Sequence, residues 1–317
     1  MKKQNLLKIL IGCVAVASLM ACGTEDEITL ADGNPTPDAF KPAGSKATLQ
    51  GPIAQAAYGD PNVQAAFEIL NGARGRCGFG YWHKDGKLEQ SAVNHTKYMI
   101  ANNEIAHTET PGKPEFTGAE VRDRAYFAGF DARYNQGELV AWGGPAQDLA
   151  KGLLAATYHL GGVIAATQKV GMTAGVFKDG TYILTIDTAD TNYLGQKLAV
   201  NTVETYPCQG ESVATSHTNE SPSPLPGRAA STYGPPFALR ARDDLKIDVT
   251  SYSISAGGSP IQTTLVTADN DSSGLVHPNS SYVLPLQPLS SGVTYTFDAS
   301  GTVNGVPFSK HYTVVAR

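Results

Sequence analysis

The sequence predicts an α+β protein whose helical first part ends in a β-hairpin and is followed by an all-β second part. Three observations support this fold class. Apolar residues recur at helical spacing between Asp60 and His159, and the period then changes to that of a hairpin. The final segment, residues 237–317, alternates apolar and polar residues. Helices followed by strands favour α+β packing.

The first two predicted helices have clear starts or clear apolar stripes. Asp60 is a plausible N-cap and Pro61 suits the first helical position, with Gly72 and Gly75 ending the helix. Its stripe is Val63, Ala66, Phe67 and Leu70. The second helix starts at about Lys87, and its stripe is Leu88, Ala92, His95 and Met99. This places His95 in the core, as a histidine with one satisfied nitrogen.

Two further helices and a hairpin complete the first part. The segment Thr117-Gly118-Ala119-Glu120 has the pattern of a capping box, and the helix it opens runs to Gly129-Phe130. Another helix begins near Pro145 and continues towards His159. Residues 170–177 and 181–188, joined by Lys178-Asp179-Gly180, predict a β-hairpin.

The second part is predicted to be a small β-sandwich of the immunoglobulin-like type. Residues 293–300 alternate strictly, Asn304-Gly305 predicts a tight turn, and residues 310–315 form a last strand. Residues 211–236 are rich in proline and serine, so we expect a linker there.

The N-terminus predicts export. Lys2, Lys3 and Lys8 precede a short apolar run, which is too short for a comfortable membrane span. The segment Leu19-Met20-Ala21-Cys22 resembles the bacterial lipobox, which implies a signal peptide over residues 1–21 and a lipid on Cys22 that anchors the chain to a membrane. An ordinary secretory signal is the alternative. Residues 22–58 are expected to form a disordered tether, and Gly23 is compatible with outer-membrane sorting.

Export determines the cysteine count of the mature chain. Cys13 leaves with the signal and Cys22 carries lipid, so Cys77 and Cys208 remain. In an oxidising compartment these two predict one disulfide, worth about 2–5 kcal/mol, and two free buried cysteines are the alternative.

Charge excludes one class of partner. The chain has 24 Lys and Arg against 29 Asp and Glu, a net charge of −5, and it becomes more acidic when the signal is removed. Nucleic acid is therefore not expected as a partner. With 41% hydrophobic residues over 317 positions, the chain suits two ordinary domains with buried cores.

The segment from His107 to His159 holds the candidate site. It contains His107-Thr108-Glu109, Gly137-Glu138-Leu139 and Tyr158-His159. Two imidazoles and two carboxylates at one cleft could ligate a divalent cation or move a proton. A hydrogen-bonded buried cluster that only orients loops is the alternative.

Residues 59–210 resemble the CAP superfamily of cysteine-rich secretory, antigen-5 and pathogenesis-related proteins. The resemblance is carried by short pieces in a characteristic order rather than by one motif. These pieces are Leu70-Asn71 with Arg74, His95, Ala106-His107, Arg124 with Gly129-Phe130, Gly137-Glu138-Leu139, Tyr158-His159 and Val170-Gly171.

The resemblance implies a three-layer α-β-α sandwich with a cleft lined by two histidines and two glutamates. His107 matches the first histidine, Glu138 the glutamate of the Gly-Glu-Asn motif, and His159 the second histidine. The chain departs from the pattern because Leu139 replaces the asparagine and residues 155–158 contain no second glutamate. We expect Glu109 to replace it, because residues i and i+2 of an extended segment point to one side.

Three functions are compatible with these residues. The leading hypothesis is a non-enzymatic, membrane-anchored lipoprotein of the cell envelope that binds a lipid, a cell-wall component or a protein in its cleft. The rival is a hydrolase of peptide or cell-wall substrates, in which Glu138 is the base and Zn or Mg is held by His107 and His159 with Glu109 or Glu138. A purely structural surface protein is the third. The sequence contains no nucleophile elbow and no phosphate-binding loop, and Trp142 is expected in the core.

Overall fold

The computed structural model describes residues 46–193 and 195–317. The predicted signal peptide, the lipidated Cys22 and the tether as far as residue 45 lie outside the described residues. Residues 46–58 were assigned to the tether, but they pack on the first domain. Thr48 N donates to Lys197 O, Gln50 O accepts from Tyr81 N, and Tyr58 is buried. The folded part of the chain therefore begins before residue 59.

Five helices form the first part of the described chain: α1 Pro61–Arg76, α2 Gly86–Asn102, α3 Val121–Phe127, α4 Ala146–Leu154 and α5 Thr157–Val163. The predicted start of α1 is confirmed, because the Asp60 side chain accepts a hydrogen bond from Asn62 N and Pro61 follows. The predicted stripe of α2 is also confirmed, since Leu88, Ala92, His95 and Met99 are all buried.

Two helix predictions differ from the structure. The capping box of α3 pairs Glu120 with Asp123, three residues later than predicted. The single helix expected from Pro145 to His159 is two helices, because Ala156 is extended and serves as the N-cap of α5. A side chain from the predicted linker caps this second helix.

A four-stranded sheet lies between the helices, with strand order β1-β3-β4-β2. The strands are β1 His83–Lys84, β2 Tyr134–Gly143, β3 Lys169–Val176 and β4 Tyr182–Asp190. The predicted hairpin is confirmed, because β3 and β4 pair antiparallel. β2 was not predicted as a strand, and it pairs antiparallel with the other side of β4.

Helices cover both faces of this sheet, which confirms the three-layer sandwich. One core joins α1 and α4 to Leu139, Leu184 and Ile186 of the sheet, and Val163 of α5 packs in it. On the other face, α2 lies close to β3, where a Cβ on Gly171 would meet Glu89 N at 1.9 Å. Gly171 is therefore required by the close approach of a helix backbone.

The second part is a β-sandwich of two sheets, with strand orders β10-β11-β7-β5 and β6-β13-β12-β8-β9. The strands are β5 Glu204–Tyr206, β6 Ser212–Val213, β7 Phe237–Arg240, β8 Ile247–Ala256, β9 Ser259–Pro260, β10 Thr263–Thr267, β11 Ser280–Pro285, β12 Thr294–Val303 and β13 Val306–Ala316. A 3-10 helix spans Ala230–Thr232. Phe237, Val283 and Phe297 pack in the core between the sheets.

The predicted last hairpin is confirmed. β12 and β13 pair antiparallel around Asn304 and Gly305, whose φ angles are 46° and 82°. Glycine and asparagine tolerate these left-handed conformations better than other residues do. The sandwich nevertheless starts earlier than residue 237, because β5 and β6 lie in segments assigned to the first domain and to the linker.

The sheet that contains β7 and β11 is buried on both faces. Its inner face packs in the sandwich core, while Ala238, Tyr282 and Leu284 on the outer face pack with residues of α1 and α5. The predicted disulfide is confirmed, and it joins Cys77 at the end of α1 to Cys208 after β5, with a Cα–Cα distance of 5.3 Å. The two domains are thus joined by an apolar contact and a covalent bond.

Within the described residues, no helix combines the length and the apolar composition that a membrane crossing requires.

Candidate functional site

Glu138 is the centre of a polar cluster between the sheet and α2. It lies on β2, directly opposite Asp187 of β4, and its side chain is only 3% exposed. Its Oε2 accepts a hydrogen bond from Arg124 Nη2 at 2.6 Å, and its Oε1 accepts from His107 Nδ1 at 2.8 Å. Both carboxylate oxygens of Glu138 are therefore engaged.

His107 is the member of this cluster that reaches solvent. It follows α2 in a loop, and its side chain is 61% exposed. Nδ1 bonds to Glu138, and Nε2 makes no hydrogen bond within the described chain. The hydrogen bond with Glu138 raises the pKa of His107, although partial desolvation opposes this. The imidazole is thus held in one orientation, with its free nitrogen available to a ligand.

Opposing influences determine the pKa of Glu138. Burial alone would raise it, but the hydrogen bond from His107 and the charge of Arg124 outweigh burial and lower the pKa. Glu138 is accordingly an ionised, buried acceptor. Such a carboxylate needs nearby positive charge, because an unpaired buried charge is strongly destabilising.

Glu109 does not share a space with His107, contrary to the expectation from their i, i+2 spacing. Its carboxylate is buried and accepts hydrogen bonds from His95 Nδ1 at 2.9 Å and from Thr117 N at 2.6 Å. Gly118 N also donates to it. These donors turn Glu109 inward while His107 points outward, so Glu109 does not replace the missing cleft glutamate. Glu109 is connected to Glu138 through two residues that lie near both carboxylates. His95 Nε2 is 3.5 Å from Glu138 Oε1, and Arg124 Nε is 3.9 Å from Glu109 Oε1.

His95 contributes more to the site than its position in an apolar stripe predicted. It is fully buried, and both ring nitrogens are bonded, Nδ1 to Glu109 Oε1 and Nε2 to Ala106 O at 2.8 Å. Burial would raise the pKa of Glu109, but its hydrogen bonds, first that from His95, lower it overall. His95 thus links the Glu109 carboxylate to the main chain at Ala106.

Two further residues of the cluster were not among the candidate site residues. Arg124 comes from α3 and is fully buried, and it was noted only as a piece of the family resemblance. Asp187 is also fully buried, and neither of its oxygens has a hydrogen-bond partner among the described residues. Burial and the charge of Glu138 raise the pKa of Asp187 well above its usual value. The signal that could have found it is an acidic residue in the middle of the predicted hairpin strand, next to Leu184 and Ile186.

His159 lies on the opposite side of the sheet from Glu138. A Cβ on Gly162 of α5 would meet Leu139 Cδ2 at 2.7 Å, so α5 covers the face to which Leu139 points. Adjacent residues of a strand point to opposite faces, and Glu138 therefore faces away from α5. His159 Nδ1 instead bonds to Glu220 Oε2 at 3.0 Å. The expected meeting of His107, Glu138 and His159 does not occur.

Glu220 and His217, both in the predicted linker, bind the start of α5. Glu220 accepts hydrogen bonds from Thr157 N at 2.6 Å and Tyr158 N at 3.0 Å, and His217 Nε2 lies 2.9 Å from Thr157 Oγ1. A carboxylate at a helix N-terminus satisfies free N–H groups and interacts favourably with the helix dipole. This second cluster attaches the linker to the first domain.

The predicted metal ligands do not form one coordination shell. Within the described chain, the one group of three potential ligands with all ligand atoms inside 4.8 Å is Cys77, Cys208 and Glu211, and its two cysteines form the disulfide. His107 and Glu138 are in contact, but His159 lies beyond the sheet. The described residues therefore do not supply the three-ligand Zn or Mg site of the hydrolase hypothesis.

Trp142 lies four residues after Glu138 at the end of β2, and it is 51% exposed. The prediction that it fills the core is wrong. Val140 between them is buried against Tyr98 and Met99 of α2. Glu138, Val140 and Trp142 alternate along one side of the strand.

Comparison with known proteins adds little to this description. No family model and no curated protein matches the chain. An outer surface protein of Borrelia burgdorferi is 16% identical with a TM-score of 0.38, and the match covers 44% of this chain and 100% of that one. An extracellular protein of Bacillus anthracis that contains an SCP domain is 22% identical with a TM-score of 0.33, and the match covers 40% of each chain. Similarity this low carries no argument about function.

Proposed function

We propose that this chain is an exported, lipid-anchored protein of the CAP type that binds a ligand through His107. One observation carries the proposal: a solvent-exposed imidazole is held by a buried, ionised carboxylate, and its second nitrogen remains free. This geometry presents a donor or an acceptor at a fixed position. The ligand is a lipid, a cell-wall component or a protein.

The composition of the cluster supports binding over a purely structural role. Glu138, Glu109 and Arg124 bring three charged groups, together with the imidazole of His95, into a nearly dry region. Removing charges from water is costly, and apolar residues of similar volume often give equal or greater stability. A buried charge network that ends in one exposed histidine is therefore better explained by the orientation of that histidine.

Export is supported by the signal-like N-terminus and by the disulfide. The lysines before a short apolar run and the segment Leu19-Met20-Ala21-Cys22 have the pattern of a lipoprotein signal. Disulfides persist in oxidising compartments and are rare in the cytosol. Anchoring through Cys22 would hold the site at the cell envelope.

The binding experiment compares His107→Ala with His311→Ala. His311 is the matched control, because it is 72% exposed and its Nδ1 also bonds to a carboxylate, that of Asp298. The probes are anionic phospholipid vesicles, purified peptidoglycan fragments and immobilised linear peptides. We expect at least one probe to bind the wild type and His311→Ala equally and His107→Ala about tenfold more weakly. Equal binding by all three proteins would refute the role of His107.

A second candidate function is acid–base catalysis, which the hydrogen bond between His107 and Glu138 favours. A histidine whose Nδ1 bonds to a buried carboxylate is the arrangement of a general base and its orienting group. His107 rather than Glu138 would then be the base, because both oxygens of Glu138 already accept hydrogen bonds. Hydrolysis of peptides or cell-wall fragments that is lost in His107→Gln and retained in His311→Gln would support this candidate.

A further inference from the structure

β2 is an edge strand of the central sheet in the described chain. It is the last strand in the order β1-β3-β4-β2, and it spans ten residues. Gly137–Gly143 pair with β4 on one side, and their main-chain groups make no hydrogen bond on the other side within the described residues. Every second residue of this segment therefore presents an unpaired N–H and C=O.

The other edge strands of the described sheets are shorter than β2. β1, β6 and β9 have two residues each and leave most of β3, β13 and β8 unpaired on that side, and β5 has three residues. β10 has five, but the Asn270 side chain covers its edge by donating to Leu265 O and accepting from Thr267 N. Short length and side-chain cover are common means of preventing edge-to-edge pairing.

β2 carries some of the features that block edge pairing and lacks others. It contains neither lysine nor proline in Tyr134–Gly143, which are common edge blockers. A register shift between Tyr134 and Gly137 interrupts the start of the strand, and Glu138 is a charge turned inward, which Arg124 neutralises. Gly137–Gly143 thus keep an open edge beside the oriented His107.

We infer that the ligand of the His107 site is an extended polypeptide segment that adds to the sheet as a strand next to β2. This inference rests on the proposed function and names the class of its ligand. Main-chain hydrogen bonds to Gly137–Gly143 provide affinity, and side-chain contacts provide selectivity. The exposed Trp142 offers the apolar contact, and Nε2 of His107 offers the polar one.

The spacing of these two contacts predicts the kind of peptide that fits. His107 is bonded to Glu138, and Trp142 lies four residues further along β2, roughly 13 Å at the usual rise of a strand. A paired strand therefore carries a hydrogen-bonding side chain and, four residues away, a large apolar one. Their order depends on whether the strand pairs parallel or antiparallel.

The experiment uses the full chain and two phage-displayed random libraries, one of linear peptides and one of disulfide-closed peptides. We expect linear peptides with the four-residue spacing to be enriched. Trp142→Lys places a blocking charge on the edge, and Tyr182→Lys is the matched control, because Tyr182 is 43% exposed on β4 and is paired on both sides, with Gly143 and with Val176. The enriched peptide should bind Trp142→Lys about tenfold more weakly than Tyr182→Lys. Trp142→Thr replaces Trp142→Lys if the latter does not fold.

Amide hydrogen exchange identifies where the peptide binds. Slower exchange over Gly137–Gly143 with the enriched peptide supports strand addition. The inference is overturned if no linear peptide is enriched, if another segment is protected, or if Gly137–Gly143 become protected without peptide as the chain dimerises. Strand addition that His107→Ala leaves unchanged refutes the role of His107 alone. Binding that depends on His107 without protection of β2 refutes strand addition alone.

Discussion

Replacement of Asp187 by Asn tests the charge balance of the buried cluster. Glu109 and Glu138 are ionised there, Arg124 is buried with them, and His107 bonds to Glu138 from the solvent side. Asp187, on β4, lies beside Glu138 of β2, Ser91 of α2 and Arg124 of α3, and Gly171 is its partner on β3. Burial and the charge of Glu138 raise the pKa of Asp187, and no cation of the described residues forms an ion pair with it, so we expect it to be protonated and neutral. Asparagine is a neutral side chain of nearly the same shape.

The expected effect has a definite sign. The pKa of Asp187 is raised on folding, chiefly by burial and then by the charge of Glu138. Its contribution to stability is therefore complete below the unfolded pKa, about 3.9, and is lost as the pH rises through the folded pKa. Within that window the wild type should lose about 1.4 kcal/mol of unfolding free energy per pH unit relative to Asp187→Asn.

Urea unfolding of both proteins between pH 4.5 and pH 7, about half a unit apart, measures this difference. A chelator in all buffers prevents a bound cation from contributing to the difference. Asp298→Asn is the control, because Asp298 is half exposed and should give a profile parallel to that of the wild type. If the profiles of the wild type and Asp187→Asn are also parallel, the pKa of Asp187 is not raised on folding and the expectation of a neutral Asp187 is wrong.

Three further predictions concern stability. Arg74 is fully buried and donates hydrogen bonds to five main-chain carbonyls, so Arg74→Met should cost about 3 kcal/mol or more in urea unfolding, and Arg74→Lys should recover only part of it. Replacing Cys77 and Cys208 by Ser should cost about 2–5 kcal/mol and make stability insensitive to reductant, whereas a wild type equally insensitive would refute the bridge. Glu220→Gln should cost about 1–2 kcal/mol at pH 7. Burial raises the Glu220 pKa, but the hydrogen bonds from His159 and His217 lower it overall, so this cost should vanish as the pH falls below about 4.3 through the folded pKa, and a cost unchanged at acid pH would contradict it.

Local chemistry in the sequence was sufficient to predict several elements. Asp60 and Pro61 start α1, residues 178–180 turn the β3–β4 hairpin, and Asn304-Gly305 turns the last one. Each of these signals acts over a few neighbouring residues, through a cap, a fixed φ or a tolerated positive φ. The disulfide was predicted because only two cysteines remained after export.

The failed predictions concern relations between distant segments. β2 has no clear alternation that marks it as a strand, and its place beside β4 depends on pairing with a partner about fifty residues away in sequence. The placement of Glu109 against His95 depended on donors from Thr117 and Gly118, which only the folded loop brings near. Trp142 is exposed at the end of an edge strand, and the position of that strand in the sheet depends on the same long-range pairing.

The amino-acid sequence by itself determined the α+β class, the helix starts, the turns, the cysteine pair and the polar residues available for a site. Only the tertiary structure decided which of those polar residues meet. Since neighbouring side chains of a strand point to opposite faces, the sheet places Glu138 with His107 and separates both from His159. Residue type is a local property, whereas the face of a sheet that a helix covers depends on the packing of the whole domain.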